Sequence, residues 1–169
     1  PCTVIDPGHN LNELLDYMRN NHHVAGQVLI THAHIDHIAG ISSMRREFPG
    51  VCVMCSRDEI PLLDQTNLQA RMFSLPEPGI PVIDQYIDPV APLAICGHSM
   101  NVLRTPGHSE GSVSFYVEGM VFTGDALFKG TVGRTDLFGG NHSTLIEAIR
   151  EVLLPLPDET IVYPGHGDS

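Results

Sequence analysis

Apolar residues follow two kinds of spacing, which alternate along the chain. One spacing repeats at i, i+3, i+4 and i+7 and predicts an amphipathic helix formed by Leu11, Leu14, Leu15 and Met18. Asn10 precedes these residues and is expected to cap the helix. The other pattern is a short continuous apolar run between turn residues, which is typical of a buried strand.

Strands and helices interleave around short loops, which indicates the α/β class. Short apolar runs predict strands at residues 3–5, 27–30, 51–54, 101–105, 112–117, 120–123 and 160–163. A second helix is predicted for residues 36–47, before the Pro49-Gly50 pair. Between residues 63 and 92 the periodicity fades and Pro is frequent, so we expect a long surface excursion there.

Two serines are candidate helix starts. Ser56 is followed three residues later by Glu59, and this pair resembles a capping box that opens a short helix. Ser143 is expected to cap a further helix, whose buried stripe would be formed by Ile146, Ile149 and Leu153.

Length and composition narrow the class of protein. A chain of 169 residues fits one domain of the usual roughly 100–200 residues. With 42% hydrophobic and 17% charged residues it is an ordinary globular chain. No apolar run approaches about 18 residues and no targeting signal precedes the first strand, so no membrane partner is expected. The oligomeric state stays open.

Charge and cysteine content bear on partners and compartment. The net charge of −11 repels phosphate backbones, so nucleic acid is not an expected partner. The four Cys lack the dense spacing of a disulfide framework, which favours a reduced, cytoplasmic setting.

The densest chemical signal comes directly after the predicted strand at residues 27–30. Four metal-capable side chains lie within six residues: His32, His34, Asp36 and His37. At a strand-to-helix turn such side chains fan around one point, so His32 and His34 can serve one ion while Asp36 and His37 face another. Imidazole nitrogens and carboxylate oxygens are typical zinc ligands.

Three further candidates each follow an apolar strand and a small-residue turn: His108, Asp125 and His166. Each alone is an ordinary turn residue, but the repeated design predicts ligands that converge. The resulting set is His32, His34 and His108 for one ion, Asp36, His37 and His166 for the other, and Asp125 as the bridge. Zinc is the expected metal, although iron and manganese accept the same ligands.

The motif from His32 to His37, together with His108, Asp125 and His166, resembles the metallo-β-lactamase superfamily. Within it, residues 122–128, Gly133-Arg-Thr-Asp136 and residues 163–167 are similar to the short glyoxalase II-like group, the hydroxyacylglutathione hydrolases. The resemblance implies a four-layered αββα sandwich with the metals at the edge of two sheets. Family members normally begin with further strands and continue past Gly167, so residues 1–169 are expected to be a single domain incomplete at both ends.

The resemblance implies a dinuclear-metal hydrolase that cleaves a small-molecule thioester of the S-D-lactoylglutathione type. A water bridging two divalent ions loses a proton near neutral pH, and the hydroxide would attack the thioester carbonyl. Asp36 and Asp125 are the candidate catalytic carboxylates in this scheme. A thiolate is a good leaving group, so no strong general acid is required.

Two residues outside the ligand set are also singled out. The resemblance places Arg134 where a basic residue holds a substrate carboxylate, although an Arg134–Asp136 structural pair is the competing interpretation. Asp6 is expected to accept the other ring N–H of a ligating histidine, or else to be a simple turn residue.

Three alternatives remain open. A persulfide dioxygenase-like oxygenase would use one iron on two His and one Asp, a lactonase or other hydrolase of this fold would share the ligands, and a non-catalytic domain would bind metal only.

Overall fold

The computed structural model describes residues 1–89 and 91–168. Within these residues, the strands of the first sheet are β1 (Cys2–Ile5), β2 (Ala25–Leu29), β3 (Cys52–Ser56) and β4 (Gln85–Ile87). They lie in the order β1-β2-β3-β4, and every neighbouring pair is parallel. The carboxyl ends of these strands therefore meet at one edge of the sheet.

The second sheet and a small hairpin follow along the chain. These strands are β5 (Leu93–Ile95), β6 (His98–Arg104), β7 (Val113–Val117), β8 (Met120–Gly124), β9 (Leu127–Phe128), β10 (Thr131–Val132) and β11 (Ile161–Pro164). The second sheet has the order β11-β8-β7-β6-β5, and β9 and β10 form a separate two-stranded sheet. Its neighbours are antiparallel except for β11, which runs parallel to β8.

The helices are α1 (Asn12–Asn20), α2 (Ile35–Ile38), α3 (Ile41–Glu47), α4 (Ile60–Leu63), α5 (Thr66–Met72) and α6 (His142–Ala148). A 3-10 turn at Arg57–Glu59 precedes α4, and a π-helical turn at Ile149–Leu153 extends α6. No helix in the described residues has the length and apolarity that crossing a bilayer requires.

Three apolar clusters separate four layers of structure. Side chains of α1, α3 and α4, among them Met18 and Met44, pack on one face of the first sheet. Leu29 and Met54 lie on the opposite face, against Phe115 and other residues of the second sheet. The far face of the second sheet packs against α6 and its π-helical extension. This αββα arrangement confirms the predicted fold class.

The alternation of the strands explains why both sheets are covered on two faces. In β3, Val53 and Cys55 belong to the cluster under the helices, whereas Met54 belongs to the cluster between the sheets. Successive side chains of a strand point to opposite faces, so a strand buried on both sides reads as a continuous apolar run. The predicted strands are each present within a few residues of their predicted ends.

One helix prediction was wrong in its extent. Residues 36–47 form two helices, α2 and α3, because the chain breaks at Gly40. The amide of Gly40 donates to the carbonyl of Pro7, and a Cβ at Gly40 would lie 2.4 Å from the carbonyl oxygen of Gly8. The turn after β1 therefore accepts the amide hydrogen bond that a continuous helix would direct from Gly40 to the carbonyl of Asp36.

Two of the three predicted helix caps were also wrong. Asn10 adopts φ 62° outside α1, whose first flanking residue is Leu11 and carries no side-chain cap. Asn141 caps α6 by accepting from the amide of Thr144, while Ser143 donates its hydroxyl to that same Asn141 side chain. Where several polar residues precede a helix, the local pattern does not decide which one is the cap.

The predicted surface excursion at residues 63–92 is more ordered than expected. It contains α5 and β4, and Gln69 and Ala70 of α5 are buried. Val90 of this stretch, and Ser169 at the end of the predicted domain, lie outside the described residues. Ser56 does cap the turn that follows it, through the amide of Asp58. Glu59, however, does not complete a capping box, because its carboxylate accepts from the amides of Ala33 and Gly111.

Candidate metal centre

Four strand ends bring polar side chains to one edge of the two sheets. The loop after β2 carries His32 and His34, and α2 immediately follows it. His108 lies in the loop between β6 and β7, Asp125 directly follows β8, and His166 follows β11. Residues far apart in the chain therefore meet because β2 belongs to one sheet while β6, β8 and β11 belong to the other.

The predicted ligands gather into two compact groups. His32, His34 and His108 form one group, and Asp36, His37 and His166 form the other. In each group, one ligand atom per residue lies within 4.8 Å of the others. The first group is buried, whereas Asp36 and His166 of the second group are exposed.

Asp125 lies between the two groups. Its Oδ2 is 3.6 Å from His108 Nε2 in the first group and 3.6 Å from His166 Nε2 in the second. Its Oδ1 is 3.3 Å from His37 Nε2. A single carboxylate thus faces both groups, which is the geometry that a bridging ligand requires.

Unsatisfied buried atoms test whether metal ions fit this arrangement. Among the described residues, the buried side-chain atoms without a hydrogen-bond partner include His32 Nε2, His37 Nε2 and Asp125 Oδ1. Buried polar atoms are nearly always paired, so three orphaned atoms at one point indicate a missing partner. Imidazole nitrogen and carboxylate oxygen are the donor atoms that Zn²⁺ and Fe²⁺ accept. The residues therefore fit a pair of divalent cations.

Asp6 orients two of the imidazoles. Its Oδ2 accepts from Nδ1 of His37 at 2.9 Å and from the hydroxyl of Thr31 at 2.6 Å. That hydroxyl is in turn 3.0 Å from Nδ1 of His32, while the Thr31 amide donates to Asp6 Oδ1. Because a carboxylate only accepts, His37 must carry its proton on Nδ1, which leaves Nε2 free to bind a cation.

A backbone carbonyl orients a further buried imidazole, that of His108. His108 Nδ1 donates to the carbonyl oxygen of Arg134 at 2.7 Å, so its Nε2 also points to the site without a proton. The Arg134 side chain forms a bidentate ion pair with Asp136 at 2.7 and 2.9 Å. The structure therefore shows the competing pair, and it shows a contact of the Arg134 backbone with the site that the sequence did not predict.

Electrostatics keep the first group in the form that binds metal. Burial lowers the pKa of His32 far below its ordinary value, and positive charge on the neighbouring imidazoles would lower it further. Burial also lowers the pKa of His34 to about 4 and that of His108 below its usual range. These three imidazoles are therefore neutral at pH 7 and keep a lone pair for a ligand bond.

For His37 and Asp125, neighbouring charged groups outweigh the effect of burial on the pKa. Burial lowers the pKa of His37, but the carboxylates of Asp125 and Asp6 outweigh burial and raise that pKa to about 10. Burial raises the pKa of Asp125, and the neighbouring imidazoles of His37, His108 and His166 outweigh it and hold that pKa below its usual range. The surroundings of His37 thus favour a positive charge, which a proton supplies when no metal ion is bound.

A cavity of about 370 Å³ opens over both groups. Its polar floor includes His34, Asp36 and Asp125, and its walls are apolar and basic: Phe73, Phe128, Leu137 and Arg134. The cavity therefore has the size and the mixed lining of a small-molecule site.

Two buried residues that the sequence did not assign to the site support the loop after β2, which carries His32 and His34. The carboxylate of Glu59 accepts from the amide of Ala33 at 2.6 Å. The side chain of Gln69 accepts from the amide of Ile35 at 3.0 Å and donates to the carbonyl of Ala33 at 3.3 Å. In the sequence, a Glu three residues after a Ser suggested a capping box instead.

Close packing also fixes the loop after β11. A Cβ on Gly165 would lie 2.3 Å from Asp125 Oδ1 and 2.7 Å from His37 Cε1. Glycine at this position thus lets the loop that carries His166 approach the other side chains. The structure brings together all seven predicted ligands, and Asp6 lies next to them.

A profile of the metallo-beta-lactamase superfamily matches residues 1–166. The chain belongs to this superfamily, whose members bind divalent metal ions, typically two. Hydrolase-named relatives place it among the metal-dependent hydrolases.

Two relatives illustrate the range of names within the family. The probable metallo-hydrolase YqgX of Bacillus subtilis (strain 168) is 36% identical over 168 residues, covering 98% of this chain and 80% of the relative. The hydroxyacylglutathione hydrolase GloC of Haemophilus influenzae is 33% identical over 170 residues, with 98% and 80% coverage.

Solved structures agree with the fold. The BLEG-1 B3 metallo-beta-lactamase superposes with a TM-score of 0.90 at 35% identity, covering 98% of this chain and 81% of its own. TTHA1623 in a di-iron-bound form gives 0.85 at 36% identity, with 97% and 81% coverage. ETHE1 from Myxococcus xanthus gives 0.79 at 30% identity, with 99% and 65% coverage.

Proposed function

We propose that the protein is a dinuclear-metal hydrolase that cleaves small-molecule thioesters of the hydroxyacylglutathione type. The observation that carries this proposal is the pair of ligand groups with Asp125 between them, beneath a cavity with an apolar wall. The similarity to the hydroxyacylglutathione hydrolase GloC supports the choice of a thioester.

Two bound divalent ions would supply Lewis acidity and lower the pKa of a coordinated water toward neutral pH. His32, His34 and His108 would hold one ion, and Asp36, His37 and His166 the other, with Asp125 contacting both. Zinc is the metal we propose, and the di-iron form of TTHA1623 makes iron the first alternative to test.

The residues around the site have distinct tasks in this reaction. Asp6 holds the rings of His37 and, through Thr31, of His32 in one orientation. The apolar side chains of Phe73, Phe128 and Leu137 would pack against the acyl group. A thiolate leaves without protonation by a strong acid, and none of the described cavity residues is needed as a general acid.

The experiment combines elemental analysis with an assay of S-D-lactoylglutathione hydrolysis on the purified chain. We expect two metal ions per chain and turnover of the thioester. Asp125→Asn should reduce the metal content and lower kcat/KM at least about 100-fold. Asp158→Asn, at an exposed position away from the site, is the matched control and should behave as the unmodified protein.

Substrate choice is tested in the same assay. A lactone and a β-lactam are the competing substrates, and faster cleavage of either one would overturn the thioester assignment. Unchanged turnover in Asp125→Asn would overturn the bridging role. Retention of two metals with no hydrolysis of any of the three substrates would favour a non-catalytic metal-binding domain.

A mono-iron oxygenase is the second candidate. It would need only two His and one Asp, and Asp125 together with two buried imidazoles of the first group could supply them, because Asp125 Oδ2 lies 3.6 Å from His108 Nε2. One iron per chain, with oxygen consumed during turnover, would favour this candidate over the hydrolase.

A further inference from the structure

Glu59 is a fully buried carboxylate that the hydrolytic scheme does not use. Its side chain has 0% exposure, and it lies in the 3-10 turn directly after β3. Burying a carboxylate is costly unless hydrogen bonds replace the lost water. The partners of Glu59 therefore show what this position does.

The carboxylate joins two loops that come from different sheets. Its Oε2 accepts from the amide of Ala33, which lies between His32 and His34. Its Oε1 accepts from the hydroxyl of Ser109 at 2.7 Å and from the amide of Gly111 at 2.8 Å, directly after His108. One side chain thus connects the loop after β2 with the loop between β6 and β7.

These two loops carry the whole of the first ligand group and only part of the second. His34 Nδ1 and His108 Nε2 lie 2.8 Å apart across the junction that Glu59 holds. In contrast, Asp36 and His166 are exposed, and His37 is oriented by Asp6. Asp6 thus orients one imidazole of each group, His32 through Thr31 and His37 directly, whereas Glu59 joins the two loops that carry the first group.

We propose that Glu59 is a positioning residue for the first metal ion, because its carboxylate sets the distance between the loop of His32 and His34 and the loop of His108. The inference rests on the metal centre of the proposed function, but not on the thioester substrate. Gln69 supports the same loop from α5 through Ala33 and Ile35.

The substitution Glu59→Gln keeps the volume and replaces one acceptor oxygen by an NH2 donor. Either the Ala33 amide or the Ser109–Gly111 pair then faces a donor, so one of the two loops is released. Asp58→Asn is the matched control: it makes the same chemical change one residue earlier, on an exposed carboxylate paired with Arg104 at 3.1 Å.

Zn²⁺ affinity is measured by competition with a chromophoric chelator. The measurement uses two background variants, each of which leaves one of the two ligand groups intact. His166→Ala keeps the first group complete, and His34→Ala keeps the second. We expect Glu59→Gln to weaken Zn²⁺ binding about 10- to 100-fold in the His166→Ala background. In the His34→Ala background the change should be less than about threefold, since Asp6 orients His37 independently of Glu59. Asp58→Asn should change neither affinity.

Equal weakening in both backgrounds, or no weakening in either, would overturn the inference, because a general loss of stability does not distinguish the two groups. If Glu59→Gln does not fold, Ser109→Ala removes one donor of the same junction and should weaken only the first group. An unmodified chain that binds no Zn²⁺ would overturn both the proposed function and this inference. Two bound ions with no effect of Glu59→Gln would overturn the inference alone.

Discussion

Three buried imidazoles, those of His32, His37 and His108, each bond to an orienting protein group through Nδ1 and direct Nε2 to the metal site. Nδ1 of His37 donates to Asp6, and Nδ1 of His108 donates to the Arg134 carbonyl. The acceptors are a carboxylate and a carbonyl, neither of which can donate, so they fix the tautomer. Asp6 was predictable because it follows β1, whereas the Arg134 carbonyl was not, since backbone acceptors carry no sequence signal.

The Arg134–Asp136 pair decides between two uses of the guanidinium. If Arg134 binds a substrate carboxylate, Arg134→Ala should raise KM about tenfold or more with kcat little changed, since a hydrogen bond to a charged group contributes about 1.5–3 kcal/mol. Asp136→Asn frees the guanidinium and should leave KM unchanged or lower it. Steady-state kinetics of both variants distinguish the cases, and an equal rise of KM in both would assign the pair to loop structure.

The buried imidazoles also predict how the metal-free protein responds to acid. The folded pKa of His34 is about 4, so below pH 6.5 the unfolded chain binds a proton that the folded chain does not. The free energy of unfolding should therefore fall as the pH decreases from about 6.5 towards 4. His34 alone contributes up to about 1.4 kcal/mol per pH unit, and the lowered pKa values of His32 and His108 add to the decrease. Urea unfolding of the metal-free protein checks this. In His34→Asn the free energy of unfolding should decrease less steeply at acid pH.

His37 has the opposite effect on the pH dependence: its contribution to the free energy of unfolding decreases as the pH rises. Its folded pKa of about 10 means that its contribution is complete below pH 6.5 and is lost as the pH rises towards 10. The metal-free protein should thus be most stable near pH 6–7. A free energy of unfolding that increases steadily between pH 7 and 10 would contradict this assignment. In His37→Asn the decrease at alkaline pH should be absent.

At the scale of elements, the strands were predictable and the helix ends were not. A strand buried on both faces is a continuous apolar run, as in β2 and β3, and that signal is local. The break between α2 and α3 depends instead on the turn after β1, which lies about 30 residues earlier in the chain. The residues around Gly40 do not indicate this contact.

The substitution Gly40→Ala tests this reason for the break. Helix propensity alone would favour Ala by about 1 kcal/mol. In the structure its Cβ would lie 2.4 Å from the Gly8 carbonyl oxygen and 2.6 Å from Leu11 Cδ1, so we expect a net loss of about 1–3 kcal/mol. Thermal unfolding measures it. Gly50→Ala, with open space around its Cβ, is the control, and equal Tm values for the two variants would contradict the steric explanation.

At the scale of the whole molecule, the candidate metal centre joins the two sheets. The first sheet contributes the loop after β2, and the second contributes the loops after β6, β8 and β11. An ion bound by residues of both sheets connects layers that otherwise meet through the apolar cluster around Phe115. Folding and metal binding are then linked.

Removal of metal should therefore lower the thermal stability. At a free Zn²⁺ concentration about 100 times the Kd, binding adds about 2.7 kcal/mol, which raises Tm by roughly 5–10 °C in a chain of this size. Differential scanning calorimetry with and without a chelator checks the shift, which excess Zn²⁺ should reverse. Asp125→Asn should reduce the shift, and a Tm that does not respond to chelation would contradict the link.

The sequence by itself determined the α/β class, the course of most strands and the seven side chains that meet at the site. These features are local, because strand burial and strand-end ligands each occupy only a few consecutive residues. Only the tertiary structure decided the division at Gly40, the first residues of α1 and α6, the Arg134 carbonyl and the role of Glu59. Glu59 lies 26 residues from Ala33 and 50 from Ser109. A contact over such separations depends on how the two sheets pack. The sequence near Glu59, Ala33 or Ser109 contains no pattern that predicts it.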